Sequence, residues 1–503
     1  MKEFQEALSY LWGLKRLGTR PGPETTAAVL KALGDPHRSF RAIHITGSKG
    51  KGSTAAMCAA VLQEAGYRTG LYTSPHLLSF RERARVDGEM ATPEDLVVGL
   101  QRVRDAVAKV RRKGLLDRDP TFFEVTTAWA FDLFHRRGVE VAAIEVGLGG
   151  RLDSTNVLQA PVAVVTTLEL EHTELLGPTL QDVAREKSGI FHPKAWGVTG
   201  ATQGPGLEEL RHQAFRQGVP LWELGREVRL LASGAGDDRG QLVSIETPEG
   251  RFEDLRLPLL GAFQARNAAL AVAALQLFSR GTGLSVPPEA VRRGLARTRW
   301  PGRLERVGGR PPTYVDAAHT PESTGEVVAA LRALHPQALP EESTVLFSCL
   351  ADKHVREMLA ELSVLAHQAV VFPLSTERAL PIKDLNIAAR AAFSKVIVAP
   401  DAKEALAMAR ATVGDRGLLL AVGGVYLAGA VLSDMRGIPP EGPDLSDPVG
   451  RSLWEEPRAA PSRKTTPRAA SPARAVSPRA PPAGRSRAVA RRRGSASARG
   501  SPG

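Results

Sequence analysis

Residues 41–54, RAIHITGSKGKGST, carry the clearest chemical signal in this sequence. An apolar strand, a glycine-rich loop and a helix N-terminus form an anion site, because glycines let backbone N–H groups approach phosphates while lysine supplies charge. The loop departs from the usual phosphate-binding pattern, since Gly52 separates Lys51 from Ser53 and Ile45 stands at the first glycine position. We predict a phosphate-binding loop here; the alternative is a mobile surface loop before a helix.

Two further predicted strands end in groups that suit a cation. Glu145 lies near the end of the apolar strand 141–146, and an ionised carboxylate there is costly unless a positive partner such as Mg²⁺ faces it. The alternative is an exposed carboxylate on an edge strand. The strand 162–167 ends in the acidic segment 169–174, whose position and charge favour a ligand role for His172.

Three other segments contain candidate residues without deciding their role. Ser74-Pro75-His76 follows the predicted strand 69–73, at the strand end where open α/β sheets place ligand groups. Glu124 lies in a predicted helix 121–137, where it also fits a capping box. Lys187, near the end of another predicted helix, is by itself a solvated helix-terminal charge.

The net charge of +12 belongs to the C-terminus rather than to the whole chain. Residues 457–503 hold twelve Lys and Arg and no Asp or Glu, so residues 1–456 are neutral. We therefore predict no general nucleic-acid surface on the globular part. The tail is rich in Pro, Ala, Ser and Arg and is expected to be disordered, either contacting acidic partners weakly or acting as an inert solubilising extension.

The remaining chain alternates strands and helices, which predicts an α/β fold with doubly wound parallel sheets. The region 194–260 is expected to be rich in strands. We predict a nucleotide- and substrate-binding domain over residues 1–298, a smaller α/β domain over 299–437 and the disordered tail over 438–503.

Neither a signal-peptide core nor an apolar run of about 20 residues is present, and the two cysteines lie far apart. These features predict a cytoplasmic protein with reduced thiols and no membrane contact.

Seven groups of segments resemble, in order, the folylpolyglutamate synthase/dihydrofolate synthase family, a branch of the Mur ligases. They are HITGSKGKGST, YTSPHL with RERARVDG, TFFEVTTAWAF, EVGLGGRLDSTN, EHTELLG with REKSGIF, WPGRLE and DAAHTPES. The resemblance covers roughly residues 1–435, and its most specific part is EVGLGGRLDSTN together with HTELLG and REKSGI.

The resemblance implies a central ATPase domain with a phosphate loop and site residues at matching positions. ATP would contact Gly47, Ser48, Lys49, Gly50, Lys51, Gly52, Ser53, Asn267, Arg303, Asp316 and His319. Two Mg²⁺ ions would be held by Ser53, Ser74, Glu145, His172 and a carbamylated Lys187. Folate would contact Ser74, Pro75, His76, Thr121, Phe122, Phe123, Glu124, Leu152, Asp153 and Ser154. Lys51, Lys187 and His172 would be the catalytic residues.

The implied reaction is ADP-forming amide ligation of L-glutamate to folate, and also to dihydropteroate, through an acyl phosphate. Family members are commonly monomers. This chain departs from the family pattern at Lys49, at Glu171 and in the segment 316–320, which leaves open whether it catalyses both reactions. Two alternatives are a Mur-type ligase for another carboxylate substrate and a nucleic-acid-dependent NTPase.

Overall fold

The computed structural model describes residues 2–14, 22–233, 236–237, 239–438 and 441. The described residues all belong to one compact unit. Apart from Ile438 and Glu441, the predicted tail 438–503 lies outside the described residues.

The first eight strands form one sheet in the order β4-β3-β2-β5-β1-β6-β7-β8, parallel from β2 to β8. Their bounds are β1 Arg41–Thr46, β2 Thr69–Tyr72, β3 Ala84–Val86, β4 Glu89–Met90, β5 Val141–Glu145, β6 Val162–Val165, β7 Trp196–Thr199 and β8 Leu221–Glu223. The central strands are apolar on both faces because helices cover each side. On β1, Ile43 packs into one helical layer while its neighbour Ala42 packs into the opposite layer.

Eight helices of the described chain precede this sheet or pack around it, and they form helical layers on its two faces. They are α1 Lys2–Gly13, α2 Glu24–Leu33, α3 Lys51–Glu64, α4 Pro93–Arg112, α5 Phe122–Arg136, α6 Thr173–Leu176, α7 Leu180–Lys187 and α8 Gly204–Gln217. Capping boxes start α4 at Thr92 and α5 at Thr121, where each threonine hydroxyl accepts from the backbone N–H three residues later.

The region 194–260 is rich in strands, as expected, but residues 204–217 form a helix, α8, that the sequence analysis did not predict. Leu207, Leu210 and Ala214 are buried along one side of that helix, so its apolar spacing is helical. The rest of the region does contain strands: a small antiparallel sheet has the order β11-β10-β9, with β9 Arg229–Ser233, β10 Gln241–Thr247 and β11 Gly250–Leu257.

Two helices connect this region to a second sheet with its own helices, which together we call the C-terminal layer. The connecting helices are α9 Ala262–Thr282 and α10 Pro288–Arg297. The predicted boundary after residue 298 falls in the connection between α10 and the next strand, and it stays a prediction.

The C-terminal sheet has six strands in the order β12-β13-β17-β14-β15-β16, parallel except for the β12–β13 pair. Its strands are β12 Glu305–Gly308, β13 Thr313–Asp316, β14 Thr344–Phe347, β15 Gln368–Val371, β16 Lys395–Val398 and β17 Leu419–Val422. Its helices are α11 Pro321–Leu334, α12 Val355–Ser363, α13 Ile382–Ala392, α14 Ala402–Thr412 and α15 Val425–Arg436. Helices on both faces confirm the predicted doubly wound architecture.

After α15 the chain returns to the first sheet's loops. The Glu441 carboxylate accepts hydrogen bonds from the Ser79 hydroxyl and from the Arg81 guanidinium, the latter at 2.7 Å. The backbone N–H of Glu441 also donates to the Leu78 carbonyl at 2.8 Å. This contact, which we call the Glu441 clasp, joins the end of the C-terminal layer to the loop 77–83.

Within the described residues, the helices are too short or too polar to cross a bilayer.

Close packing of α10 on α3 predicts opposite effects for two helical glycine substitutions. A Cβ at Gly294 would lie 2.4 Å from the Val61 Cα, whereas a Cβ at Gly325 meets only the flexible end of Glu361, at 3.1 Å. We expect Gly294→Ala to lower the free energy of unfolding by about 1–3 kcal/mol. Gly325→Ala should be neutral or raise it by up to about 1 kcal/mol. Thermal unfolding midpoints test this, and a Gly294→Ala protein melting at or above wild type would contradict it.

Candidate active site

The predicted phosphate loop connects the C-terminal end of β1 to the start of α3. Gly50 has a φ of 83°, and a Cβ there would lie 2.3 Å from the Asn267 side-chain oxygen. The loop backbone therefore approaches α9 more closely than any other residue type allows. The Lys51 ammonium donates to the carbonyls of Gly47 at 2.8 Å and Ser48 at 3.3 Å, so it lies over its own loop.

Two threonines after β6 hold the loop from the other side. The Lys49 N–H donates to the Thr167 hydroxyl at 2.8 Å, and the Thr166 hydroxyl donates to the Lys49 carbonyl at 2.5 Å. The Ser48 N–H donates to the Thr167 carbonyl at 3.0 Å. The loop shape is thus fixed by the exit of the neighbouring parallel strand.

Glu145, the last residue of β5, is a buried carboxylate with 4% of its surface exposed. One of its oxygens accepts from the Ser74 N–H at 3.0 Å. Burial raises the pKa of this carboxyl, and the charge of Lys51 opposes that rise. A buried carboxylate with an oxygen facing the cleft suits a cation.

Lys187 is a deeply buried cation near the cleft, with 1% of its side chain exposed. Its ammonium pairs with Glu171 at 2.9 Å. Burial lowers the pKa of Lys187 to about 8, against the opposing charge of Glu171. Burial alone would raise the pKa of Glu171, but the charges of Lys187 and Lys51 lower it to about 2. The pair is therefore ionised near neutrality with an unusually acidic lysine.

The C-terminal layer contributes a second wall. Asp316 ends β13, and its carboxylate accepts from the Leu304 and Ala318 N–H groups, each at 2.6 Å. Burial raises the pKa of Asp316, while the nearby Arg303 charge opposes it. Burial lowers the pKa of His319 to about 3, so its imidazole is neutral. An ion pair between Arg266 and Glu326 links α9 to α11 across the cleft.

These groups surround a cavity of about 410 Å³ between the two layers. It brings together the predicted residues Ser48, Lys49, Gly50, Lys51, Gly52, Ser53, Ser74, Pro75, Phe123, Glu145, His172, Asn267, Arg303, Asp316 and His319. Gly47 and Lys187 lie one contact behind the wall, through Lys51 and Glu171 respectively.

Seven predicted folate residues are not part of this cavity wall: His76, Thr121, Phe122, Glu124, Leu152, Asp153 and Ser154. Glu124 instead accepts two hydrogen bonds from Arg118, at 2.7 and 2.8 Å, and one from the Thr121 N–H at 2.7 Å. Phe122 stacks on Trp12 with ring centroids 5.5 Å apart. The His76 ring accepts from Arg83 at 2.9 Å. These side chains therefore contact other protein groups behind Phe123, which itself lines the cavity.

The cavity residues that were not selected from the sequence include hydroxyl and cationic groups that can bind a ligand, among them Thr166, Thr167, Lys353 and Arg378. The threonines end a parallel strand beside the phosphate loop, so strand-end position was an available signal. Lys353 and Arg378 follow β14 and β15 on the C-terminal layer, where no local motif distinguishes them from surface cations. Asp352 lies 3.1 Å from Lys353 and 3.8 Å from Arg378.

The contact between Gly50 and Asn267 predicts a selective loss of nucleotide binding. The Asn267 side chain is itself fixed by its hydrogen bond to Gln264 at 3.0 Å, so a Cβ at Gly50 forces the loop to move. We expect Gly50→Ala to weaken nucleotide binding roughly tenfold or more, measured by calorimetry.

Gly66→Ala is the matched control, since Gly66 has a φ of 94° and open space around its Cβ position. It should lose about 1 kcal/mol of stability and bind nucleotide normally. Equal losses of nucleotide binding in both variants would show that backbone strain, not the contact, is responsible.

Comparison with known proteins assigns both layers to domain families. Residues 45–275 match the Mur ligase middle domain, and residues 302–424 match the Mur ligase, glutamate ligase domain. The chain is 32% identical to the dihydrofolate synthase/folylpolyglutamate synthase of Bacillus subtilis over 434 residues, covering 86% of this chain and 98% of that protein. It is 33% identical to the folylpolyglutamate synthase of Lacticaseibacillus casei over 435 residues, covering 86% and 99%.

Solved structures agree with the sequence relatives. A Mycobacterium tuberculosis folylpolyglutamate synthase complexed with ADP matches with a TM-score of 0.79 and 32% identity, over 86% of this chain and 98% of that one. An Escherichia coli FolC structure in complex with DHPP and ADP matches with a TM-score of 0.75 and 28% identity, over 86% and 98%. With this identity over nearly the full length of its relatives, the chain belongs to the folylpolyglutamate synthase/dihydrofolate synthase family of Mur ligases.

Proposed function

We propose that this chain joins L-glutamate to the carboxylate of a folate, forming an amide with conversion of ATP to ADP and phosphate. We include dihydropteroate as a second acceptor. The observation that carries the proposal is one cavity lined by a phosphate loop, a buried carboxylate at a strand end and the basic C-terminal wall. The relatives named for both synthase activities support it.

In the proposed reaction, an oxygen of the acceptor carboxylate attacks the γ-phosphorus of ATP, and ADP leaves. The amine of glutamate then attacks the acyl phosphate, the C–O bond to phosphate breaks, and the amine proton is lost. Lys51 stabilises the charge on the transferring phosphoryl group. Arg303, which lines the same cavity from the C-terminal layer, adds a second positive charge.

The carboxylates of the incoming L-glutamate need positively charged partners, and the C-terminal wall offers such groups. Lys353 and Arg378 line the cavity there, and Asp352 neutralises only one of the two charges. We assign these two residues to the carboxylates of L-glutamate, since a guanidinium can bind a carboxylate with two hydrogen bonds. Closure of the two layers would exclude water from the acyl phosphate.

The donor set is compatible with the proposed magnesium ions. Ser53, Ser74 and Glu145 present oxygen ligands to the same cavity, and Mg²⁺ prefers oxygen. No group of three or more His, Cys, Asp or Glu side chains is arranged to hold a metal among the residues that the structure describes. The proposed set contains only Glu145 and His172 of those types and is completed by hydroxyls, a carbamate and phosphate. When bound, magnesium would neutralise charge on the phosphates.

We further propose that Lys187 reacts with CO₂, so that Lys–NH₂ and CO₂ give Lys–NH–COO⁻ and a proton. The reaction needs a neutral amine. A pKa of about 8 leaves roughly half of the amine neutral at pH 8, against well under 1% for an ordinary lysine. The carbamate would convert a buried cation into an anionic metal ligand beside Glu145 and His172.

The folate assignments for Ser74, Pro75 and Phe123 gain support from the cavity wall. The assignments of His76, Thr121, Phe122, Glu124, Leu152, Asp153 and Ser154 are kept as proposals for residues that shape the acceptor pocket from behind.

A substrate matrix tests the proposed function directly. We expect phosphate release from ATP only when a pteroyl acceptor and L-glutamate are both present, because both are needed to complete the amide. Dihydropteroate and tetrahydrofolate are assayed separately, so the matrix also shows whether one or both reactions occur. Lys51→Ala should abolish release.

Phosphate release without either substrate would contradict the proposal. Turnover with a UDP-linked acceptor in place of folate would favour a Mur-type ligase of another pathway, and stimulation by DNA or RNA would favour a nucleic-acid-dependent NTPase.

The proposed carbamate predicts a carbon signal as well as an activity change. With ¹³CO₂ held at constant dissolved concentration, a carbamate resonance should grow as the pH rises from 6.5 towards 8, because the neutral amine fraction rises. Lys187→Ala should remove the resonance and lower turnover at least about 100-fold. Lys383→Ala, at an exposed lysine, is the control and should change neither. A resonance that survives in Lys187→Ala would overturn the assignment.

A further inference from the structure

We propose that His44 and Thr155 are positioning residues for the acceptor substrate. Through one hydrogen-bond chain they fix Asp153 and, through it, the loop 147–150 that faces the cavity. The inference rests on the proposed function, because it assigns that loop to the folate or pteroate side of the reaction. Gly147 and Leu148 line the cavity, whereas His44, Thr155 and Asp153 do not.

The chain of hydrogen bonds is short and buried. The Nε2 atom of His44 lies 2.8 Å from the Thr155 hydroxyl oxygen, which lies 2.5 Å from Oδ1 of Asp153. His44 and Thr155 have no exposed surface, and Asp153 has 6%. Oδ2 of Asp153 accepts from the Leu148 N–H at 3.0 Å, so the chain ends at a residue of the cavity wall.

The direction of each hydrogen bond follows from the acceptor-only carboxylate. The Thr155 hydroxyl donates its single hydrogen to Asp153, so towards His44 its oxygen accepts. His44 is therefore the Nε2–H tautomer and donates to Thr155. Burial lowers the pKa of His44 to about 3, which keeps the ring neutral and its one hydrogen in this place.

Most of the acceptor capacity of Asp153 is used inside the loop. A carboxylate offers about four acceptor positions. Thr155 occupies two with its N–H and hydroxyl, and Leu148 occupies one with its N–H. Burial raises the pKa of this carboxyl, and these hydrogen bonds oppose the rise. Asp153 therefore acts on the substrate mainly through the shape of the loop.

The loop 147–150 and the residue after it are hydrogen-bonded to residues next to the phosphate loop and next to Lys187. The Thr46 hydroxyl, on β1 before the phosphate loop, donates to the Gly149 carbonyl at 2.5 Å. The Arg151 N–H donates to the Glu186 carbonyl at 2.8 Å, next to Lys187. His44 also lies on β1, which leads into the phosphate loop. The hydrogen-bond chain therefore fixes the position of the loop 147–150 relative to the phosphate loop through one strand.

His44 contributes a donor rather than packing. Its other ring nitrogen, Nδ1, is buried and makes no hydrogen bond to any described residue. An apolar side chain would fill the same space without that unmet acceptor. What it would lack is the Nε2–H that faces Thr155.

The test compares matched pairs. Thr155→Val removes the hydroxyl at nearly constant volume, and Thr155→Ser keeps it; His44→Leu removes the donor, and His44→Gln keeps an N–H at a similar reach. We expect Thr155→Val and His44→Leu to raise KM for the pteroyl acceptor roughly tenfold while KM for ATP changes less than about twofold. Thr155→Ser and His44→Gln should stay within about threefold of wild type. The double variant His44→Leu/Thr155→Val should have the same KM for the pteroyl acceptor as Thr155→Val alone, because both changes break the same hydrogen-bond chain.

Amide hydrogen exchange gives a second readout that needs no turnover. Thr155→Val should speed exchange of the peptide covering 147–156 roughly tenfold and leave the peptide covering 47–54 unchanged, with Thr155→Ser as control. Unchanged exchange at 147–156, or equal rises in KM for ATP and acceptor, would overturn the inference. A wild-type protein that releases no phosphate with any acceptor refutes the proposed function instead, and the exchange result still decides the hydrogen-bond chain.

Discussion

The cleft depends on keeping opposite charges out of water at the ends of two parallel strands, β5 and β6, that lie on either side of β1. Glu145 ends β5, the Glu171 carboxylate lies beyond β6, and Lys187 on α7 pairs with Glu171. Buried ions are tolerated only when partners and hydrogen bonds compensate their lost hydration. Here Glu145 accepts a hydrogen bond from the Ser74 N–H, and the charges of Lys51 and of two arginines oppose the rise in its pKa that burial causes. In the proposed reaction, phosphates and magnesium would complete the set of partners, and the unfavourable burial would then favour ligand binding.

Much of this arrangement could be predicted from local sequence. The strand, glycine loop and helix around Lys51 appear where the pattern indicates them, because backbone geometry in a phosphate loop depends on glycine and strand position. Glu145 was selected because an ionised carboxylate at the end of a buried strand needs a positive partner, and His172 because it follows a strand end among acidic residues. The alternation of elements predicted both α/β layers, and the family resemblance added residues from the second layer, Asp316 and His319, to the same cavity.

Other features depend on contacts that no local pattern contains. Lys353 and Arg378 look like surface cations until β14 and β15 bring them to the cavity. Glu124 fits two roles in sequence, and only the position of Arg118 shows that its oxygens are occupied. Residues 204–217 were included in a strand-rich region although the buried apolar residues of α8 have helical spacing, because strands lie on both sides of this short helix. The first two cases depend on which side chains come together from distant parts of the sequence, and hydrophobic periodicity does not contain that information.

The Glu441 clasp has a mechanical consequence. The C-terminal layer leaves the first sheet through the connection after α10 and returns to it at loop 77–83 through Glu441. Opening of the cleft with the clasp intact must therefore keep Glu441 beside the loop 77–83 while it separates Arg266 from Glu326, which pair across the cleft.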